Sequence, residues 1–237
     1  MKIVCDKYNI DNKLFLQEIL ANNNLEDVIQ LVFKKNEIYL LNNNYKTSPE
    51  VHIDFNKKKF IEKNNKRLKN NHDIFWKIFS YKNSRILDCT GGFGRDGFLL
   101  NSMGHDVTII ENSPVVAMIL KNALWRCGNK GIKFFFGNAY DYMKHSMQKY
   151  DYIYLDFMFE KSKNKSLSSK NDETLKCISF QDNDKNKIIQ MAQRITINKV
   201  IVKEPINSVS NLLKPNHIIK TKLLNYRVYL GSYDRLK

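Results

Sequence analysis

From Arg85 onward the apolar pattern of the chain alternates between two periods. Short runs rich in β-branched and aromatic residues, RILDCT, HDVTIIE, KFFFGN, YDYIYLD and VIVKE, are separated by GRDGFLLNSM, SPVVAMILKNALWRC and KNKIIQMAQRI, whose apolar residues recur at helical spacing. This rhythm predicts successive βαβ units, closed by a strand pair near IIKTKLL and RVYLG. Ser113-Pro114 supplies an N-cap and a proline at the first helical position, so a helix should start directly after Glu111. The expected fold is α/β and Rossmann-like, a mostly parallel sheet with helices on both faces. Upstream, a helical stretch near Leu14 to Leu20 and the hairpin-like LVFKKNEIYLL form a small N-terminal α/β element. KKKFIEKNNKRLK and the apolar patch Ile74, Phe75, Trp76, Ile78 and Phe79 connect the two parts. The expected division is residues 1–56 for the element, 57–84 for a basic helical connector and 85–237 for the main domain.

Charge narrows the class of partner. Lys+Arg 39 against Asp+Glu 24 leaves +15, an excess that suits a phosphate backbone, because neutralised phosphates release counterions. A compositionally biased genome also raises lysine, so charge alone leaves the partner open. For the lysine-rich run from Lys57 to Lys69 taken alone, a solvated helix face is at least as good a reading as phosphate binding. The four cysteines form no C-x-x-C pair, which predicts free thiols and no metal site. The sequence has neither a membrane-length apolar run nor the pattern of a signal peptide, so a cytoplasmic protein is expected, and a monomer.

Ligands of open α/β sheets sit beyond the carboxyl ends of the strands. The first such end reads Asp88-Cys89-Thr90-Gly91-Gly92-Phe93-Gly94-Arg95-Asp96-Gly97. Its glycines let the backbone approach a ligand and turn into a helix, and Gly92, Gly94 and Gly97 also match a dinucleotide fingerprint, so a nicotinamide cofactor is a competing reading. Asp88 and Thr90 place polar side chains where a dehydrogenase keeps small apolar ones. A carboxylate there suits the cationic amino-acid end of S-adenosyl-L-methionine, or it caps the turn. Glu111 ends the second strand, where a carboxylate accepts ribose hydroxyls. Gly137-Asn138-Ala139 ends the third, with Asn138 either meeting an adenine or serving as a turn residue. The fourth end, Asp156-Phe157-Met158-Phe159, offers a carboxylate followed by aromatics. An exocyclic base amine has its lone pair delocalised into the ring. It needs an acceptor on its N–H and a stacking surface to hold it in line with a methyl donor, unless the two phenylalanines belong to the core.

The stretches DCTGGFGRDGF, IENSPVVA, YLDFMF, VIVKEP and the terminal YRVY, in this order, resemble the bacterial small-subunit ribosomal RNA guanine-N2 methyltransferase family called methyltransferase J. The resemblance covers roughly the last two thirds of the chain, with VHIDF the only match before it. It implies a class I methyltransferase that uses S-adenosyl-L-methionine to methylate N2 of a guanosine in 16S ribosomal RNA, with ribosomal RNA or the 30S subunit as partner. Cofactor contacts carry over onto Arg95, Asp96, Glu111, Asn112, Asn138, Ala139 and Asp156, beside Asp88 and Gly91 from the strand ends. Asp156 and the Phe157 carbonyl would hold the amine, with the base stacked on Phe159. Lys161, Lys163 and Lys203 are RNA-contact candidates, the first two in the polar stretch between Glu160 and Lys187, which reads as a substrate loop or a surface insertion. Three departures stand out: Phe157 replaces a proline, Glu204 replaces an arginine near the expected RNA face, and the lysine-rich run replaces a glycine-rich stretch. A methyltransferase acting on DNA or protein, or a catalytically weakened RNA-binding relative, fits the same motifs.

Overall fold

The computed structural model describes residues 2–5, 29–42, 50–159, 175, 178, 184–208 and 211–232. The predicted stretch Leu14 to Leu20, and the lysines at 161, 163, 165 and 170, lie outside the described residues. Seven strands form the main sheet: β5 (Arg85–Asp88), β6 (Asp106–Glu111), β7 (Lys133–Phe136), β8 (Tyr150–Leu155), β9 (Thr196–Pro205), β10 (His217–Lys220) and β11 (Leu224–Leu230). Their order is β10-β11-β9-β8-β5-β6-β7. The strands from β5 to β9 pair in parallel, while β11 pairs antiparallel with β9 and β10 antiparallel with β11. The fold class is the one the pattern predicts.

Helices α3 (Arg95–Ser102) and α4 (Pro114–Arg126) cover one face, and α5 (Ala139–His145) and α6 (Lys185–Ile195) the other. Ser113 caps α4 with its hydroxyl near Val116 N, as the Ser-Pro pair predicts. Helix α5 is absent from the sequence reading, because its seven residues alternate polar and aromatic side chains without a clear apolar stripe.

The N-terminal element is a four-stranded sheet of β1 (Lys2–Cys5), β2 (Ile29–Lys34), β3 (Glu37–Asn42) and β4 (Glu50–Val51), with the predicted hairpin as β2 and β3. Strand β1 pairs parallel with β2. The connector folds as α1 (Lys58–Lys69) and the short α2 (Ile74–Ile78). Leu31, Phe33, Leu40 and Val51 share one continuous core with Val116 and Leu120 of α4 and Ile109 of β6. The small sheet therefore buries its apolar face on the main domain rather than on a core of its own.

Candidate active site

The strand order reverses between β5 and β8, and at that point the carboxyl ends of the two strands frame a cleft of about 250 Å³. Asp88, Thr90, Gly91, Arg95, Asp96, Glu111, Asn112, Ala139, Asp156 and Phe157 of the sequence reading all line it. The two strand tips are tied together: the Asp156 amide donates to Thr90 Oγ1 at 2.6 Å, and the Cys89 amide to the Tyr154 carbonyl at 3.0 Å.

Two glycines set the shape of the loop that follows β5. Gly94, at the N-cap of α3, has φ 69°, a left-handed conformation that glycine adopts without strain, and a Cβ there would lie 2.4 Å from Leu120 Cδ1. A Cβ on Gly97 would lie 2.6 Å from Ile109 Cδ1 and 3.1 Å from Asp88 Oδ2. Gly97 thus lets α3 pack onto β6 and lets Asp88 reach under the helix.

Four carboxylates converge here in different electrostatic settings. Asp88 is 2% exposed, and burial pushes its carboxyl up to about 8, opposed only in part by the Thr90 N–H that donates to it at 3.1 Å. Lys203, whose charge favours ionisation of Asp88, is committed elsewhere: its ammonium donates to Asp96 Oδ2 at 2.8 Å and to Asp156 Oδ2 at 2.7 Å. Burial works against the Lys203 charge, but the two flanking carboxylates outweigh it and hold the ammonium above the ordinary lysine range. Burial likewise opposes the charge of Asp96, yet Lys203, the Tyr154 hydroxyl at 2.7 Å and Arg67 hold it below the usual carboxylate range. Glu111 lies across the cleft, its two oxygens accepting from the Gly92 and Ser113 amides at 2.7 Å each.

Several predicted contacts take other places. Lys203 lies inside the cleft, because β9 points it at the Asp96–Asp156 pair rather than at an outer phosphate face. Glu204, expected near an RNA face, is 2% exposed and accepts from Arg227 Nε at 2.5 Å, so its charge is neutralised inside the β9–β11 pair. The Asn138 side chain caps α5, accepting from the Tyr140 and Asp141 amides at 2.8 and 3.2 Å, and among the described residues it is Ala139 that lines the cleft at this point. Phe159 belongs to the core beneath α6, 6% exposed and edge-on to Phe157 at 6.3 Å, and is not part of the cleft lining. Phe157 is also buried but borders the cleft. Burial of both rings fixes the tip where the resembling family has proline. Lys185 adds to this, donating to the Met158 carbonyl at 2.8 Å with its ammonium 4.7 Å from the Phe159 ring centroid.

Arg67, Tyr154 and Lys185 are absent from the sequence reading. Tyr154 carries a usable signal, a tyrosine two residues before the strand-tip aspartate, whereas nothing local marks Arg67 or Lys185 within lysine-rich runs.

A buried carboxylate with no ion-pair partner among the described residues, beside glycines at a strand end, fits a ligand that brings a positive charge and an adenosine-like polyol. The comparisons with known proteins agree. A family model described as "Putative SAM-dependent methyltransferase" matches residues 14–231. The chain belongs to this family of SAM-dependent methyltransferases. The methyltransferase is 27% identical over 217 residues to the Ribosomal RNA small subunit methyltransferase J of Buchnera aphidicola subsp. Schizaphis graminum, covering 84% of this chain and 85% of the relative. It is 32% identical over 155 residues to the protein of the same name from Psychromonas ingrahamii, covering 61% and 60%. A crystal structure of a SAM-dependent methyltransferase from Neisseria gonorrhoeae superposes with a TM-score of 0.68 at 21% identity, over 98% of this chain and 96% of that one, and so shares the fold. The cofactor of this methyltransferase is S-adenosylmethionine, and the nicotinamide reading of the glycines falls away.

Proposed function

We propose that this methyltransferase transfers a methyl group to the exocyclic N2 of a guanosine in small-subunit ribosomal RNA, acting in the cytosol as a monomer. The observation that carries the reading is Asp156: a strand-tip carboxylate, 36% exposed at the cleft mouth, with one oxygen held by the Lys203 ammonium. The relatives of the same name and the excess of 15 positive charges support RNA as the substrate.

Asp88 would take the ammonium of the cofactor's amino-acid end, Glu111 its ribose hydroxyls, and the Asn112 and Ala139 positions its adenine side, with Arg95, Asp96 and Gly91 completing the walls. S-adenosylmethionine, when bound, supplies an electrophilic methyl on a sulfonium. The protein's own task is then to hold a weak nucleophile in line. The Asp156 carboxylate accepts one N–H of the guanine amine, and the Phe157 carbonyl accepts the other. Lys203 keeps the Asp156 carboxylate from swinging away, and through Asp96 it is braced by the Tyr154 hydroxyl. The proton becomes acidic only once the N–C bond has formed, so Asp156 need not be a strong base. With Phe159 in the core, the base meets Phe157 and Met158 at the cleft wall instead of stacking on Phe159.

The test is transfer of labelled methyl to unmethylated small-subunit RNA, free and assembled, with nucleoside analysis of the product. Label in N2-methylguanosine is expected; label in another nucleoside, or in protein or DNA alone, overturns the reading. Asp156→Ala should lower the transfer rate by about a thousandfold, the scale of removing an oriented catalytic contact, while S-adenosylhomocysteine affinity falls far less. Equal loss of both would show that Asp156 serves the cofactor rather than the amine.

A further inference from the structure

Helix α1 is held to the molecule by one face. Phe60 lies edge-on to Phe55 and Phe98, with ring centroids 5.2 and 5.3 Å away. Asn64 is buried and donates to Ser102 Oγ at 3.1 Å, and Leu68 packs against the core. On the same side Arg67 reaches the cleft: its guanidinium forks onto Asp73 at 2.8 and 3.0 Å, and its Nη1 lies 3.8 Å from Asp96 Oδ1. The other face carries Lys58, Lys59, Lys63, Lys66 and Lys69, all exposed, with Lys57 exposed just ahead of them. Glu62 is the one carboxylate of the helix.

Folding favours Lys66 and Lys69, which lie in the last turn where the macrodipole suits cations, but not the lysines ahead of them. Lys57, Lys58 and Lys59 sit at the helix N-terminus, where the macrodipole disfavours cations; the first turn has no acidic residue, and Lys57 makes no side-chain cap. Like charges at i and i+4, as in Lys59 and Lys63, cost a few tenths of a kcal/mol more. A lysine-rich composition would spread cations over every exposed helix. Yet α6, which also has open positions, carries three cations in its eleven residues, Lys185, Lys187 and Arg194, against six in the twelve of α1. The charge is concentrated on the free face of the one connector helix whose inner side contacts the cleft through Arg67.

We propose that this face of α1, along the line of Lys59, Lys63 and Lys66, docks the phosphate backbone of the RNA substrate beside the methyl-transfer cleft. The proposal rests on the reading that the substrate is RNA, and it gives the connector a role that the cleft residues do not supply.

Neutralised phosphates show as a salt dependence of about 0.7 per contact for single strands. The combined variant Lys59→Gln, Lys63→Gln, Lys66→Gln should therefore lower the slope of log affinity against log salt by about 2 for small-subunit RNA. It should raise KM for the RNA about tenfold while kcat and S-adenosylhomocysteine affinity stay at the wild-type level, the latter also reporting that the variant is folded. The matching Lys→Arg triple should retain the wild-type slope. A Gln triple with unchanged slope and KM overturns the proposal. So does an equal effect from a second protein of the same net charge, changed at Lys121, Lys130 and Lys144. If the slope depends on α1 but the wild-type enzyme transfers no methyl to small-subunit RNA, the docking surface stands and the substrate reading fails.

Discussion

At the residue scale, Asp88 separates a stabilising group from a functional one. Its folded carboxyl, near 8, lies above its unfolded value, so its contribution to stability is lost as pH rises from about 4 to 8. At pH 7 this amounts to on the order of 4 kcal/mol of destabilisation. Asp88→Asn should therefore raise the unfolding free energy at pH 8 and leave it nearly unchanged at pH 4, while weakening cofactor binding. Chemical denaturation at the two pH values reads the first effect. A cofactor ammonium placed on Asp88 favours its ionised form, so binding of S-adenosylhomocysteine at pH 7 should release close to one proton in the wild type and none in the variant. Calorimetry in two buffers of different ionisation enthalpy measures this, and a wild type that releases no proton would remove Asp88 from the ammonium site.

At the scale of elements, the glycine loop and the strand tips act as one unit. Gly97→Ala places a methyl 2.6 Å from Ile109 Cδ1, so α3 must move or Ile109 must leave its rotamer, at about 1 to 3 kcal/mol. Because the same methyl approaches Asp88 Oδ2 at 3.1 Å, S-adenosylhomocysteine affinity should fall together with the melting temperature. A loss of stability with unchanged affinity would show that α3 and the Asp88 site are separable. The tip at Asp156 shows a different solution: two aromatic rings sunk in the core and a lysine on a carbonyl hold a turn for which a proline would have sufficed. Glu204 and Arg227 make the parallel point on the neighbouring strand pair, since a charge exchange that looks like altered RNA recognition is an internally neutralised pair.

At the scale of the molecule, the N-terminal sheet shares one buried core with the methyltransferase domain, which predicts that the two unfold together. Leu40 is fully buried in the shared cluster, so Leu40→Ala should cost about 2 to 5 kcal/mol and leave a single unfolding transition by circular dichroism and by tryptophan fluorescence, Trp125 reporting from α4. Two resolved transitions, the earlier one alone shifted by the substitution, would show that the small sheet folds by itself. The described helices include none long and apolar enough to cross a membrane.

Local chemistry made much of this protein legible. Alternating periods define the strands and crossover helices, because βαβ units bury their apolar residues at fixed spacing whatever surrounds them, and polar side chains at Asp88, Glu111 and Asp156 mark strand ends because each breaks the apolar run of its strand. The partners of those carboxylates were decided only by the tertiary structure. Arg67 is indistinguishable in sequence from the surface lysines and arginines around it, Lys203 is marked by its motif but not as a partner of carboxylates, and Asp96 pairs with Lys203, 107 positions away. Burial, a property of the assembled layers, turned Phe159 and Glu204 inward, whereas Asn138 caps its helix through amides two and three residues on, a local contact at the surface. The sequence by itself determined which residues stand at the ends of the strands; the packing of β9, α1 and α6 around them decided which charges meet.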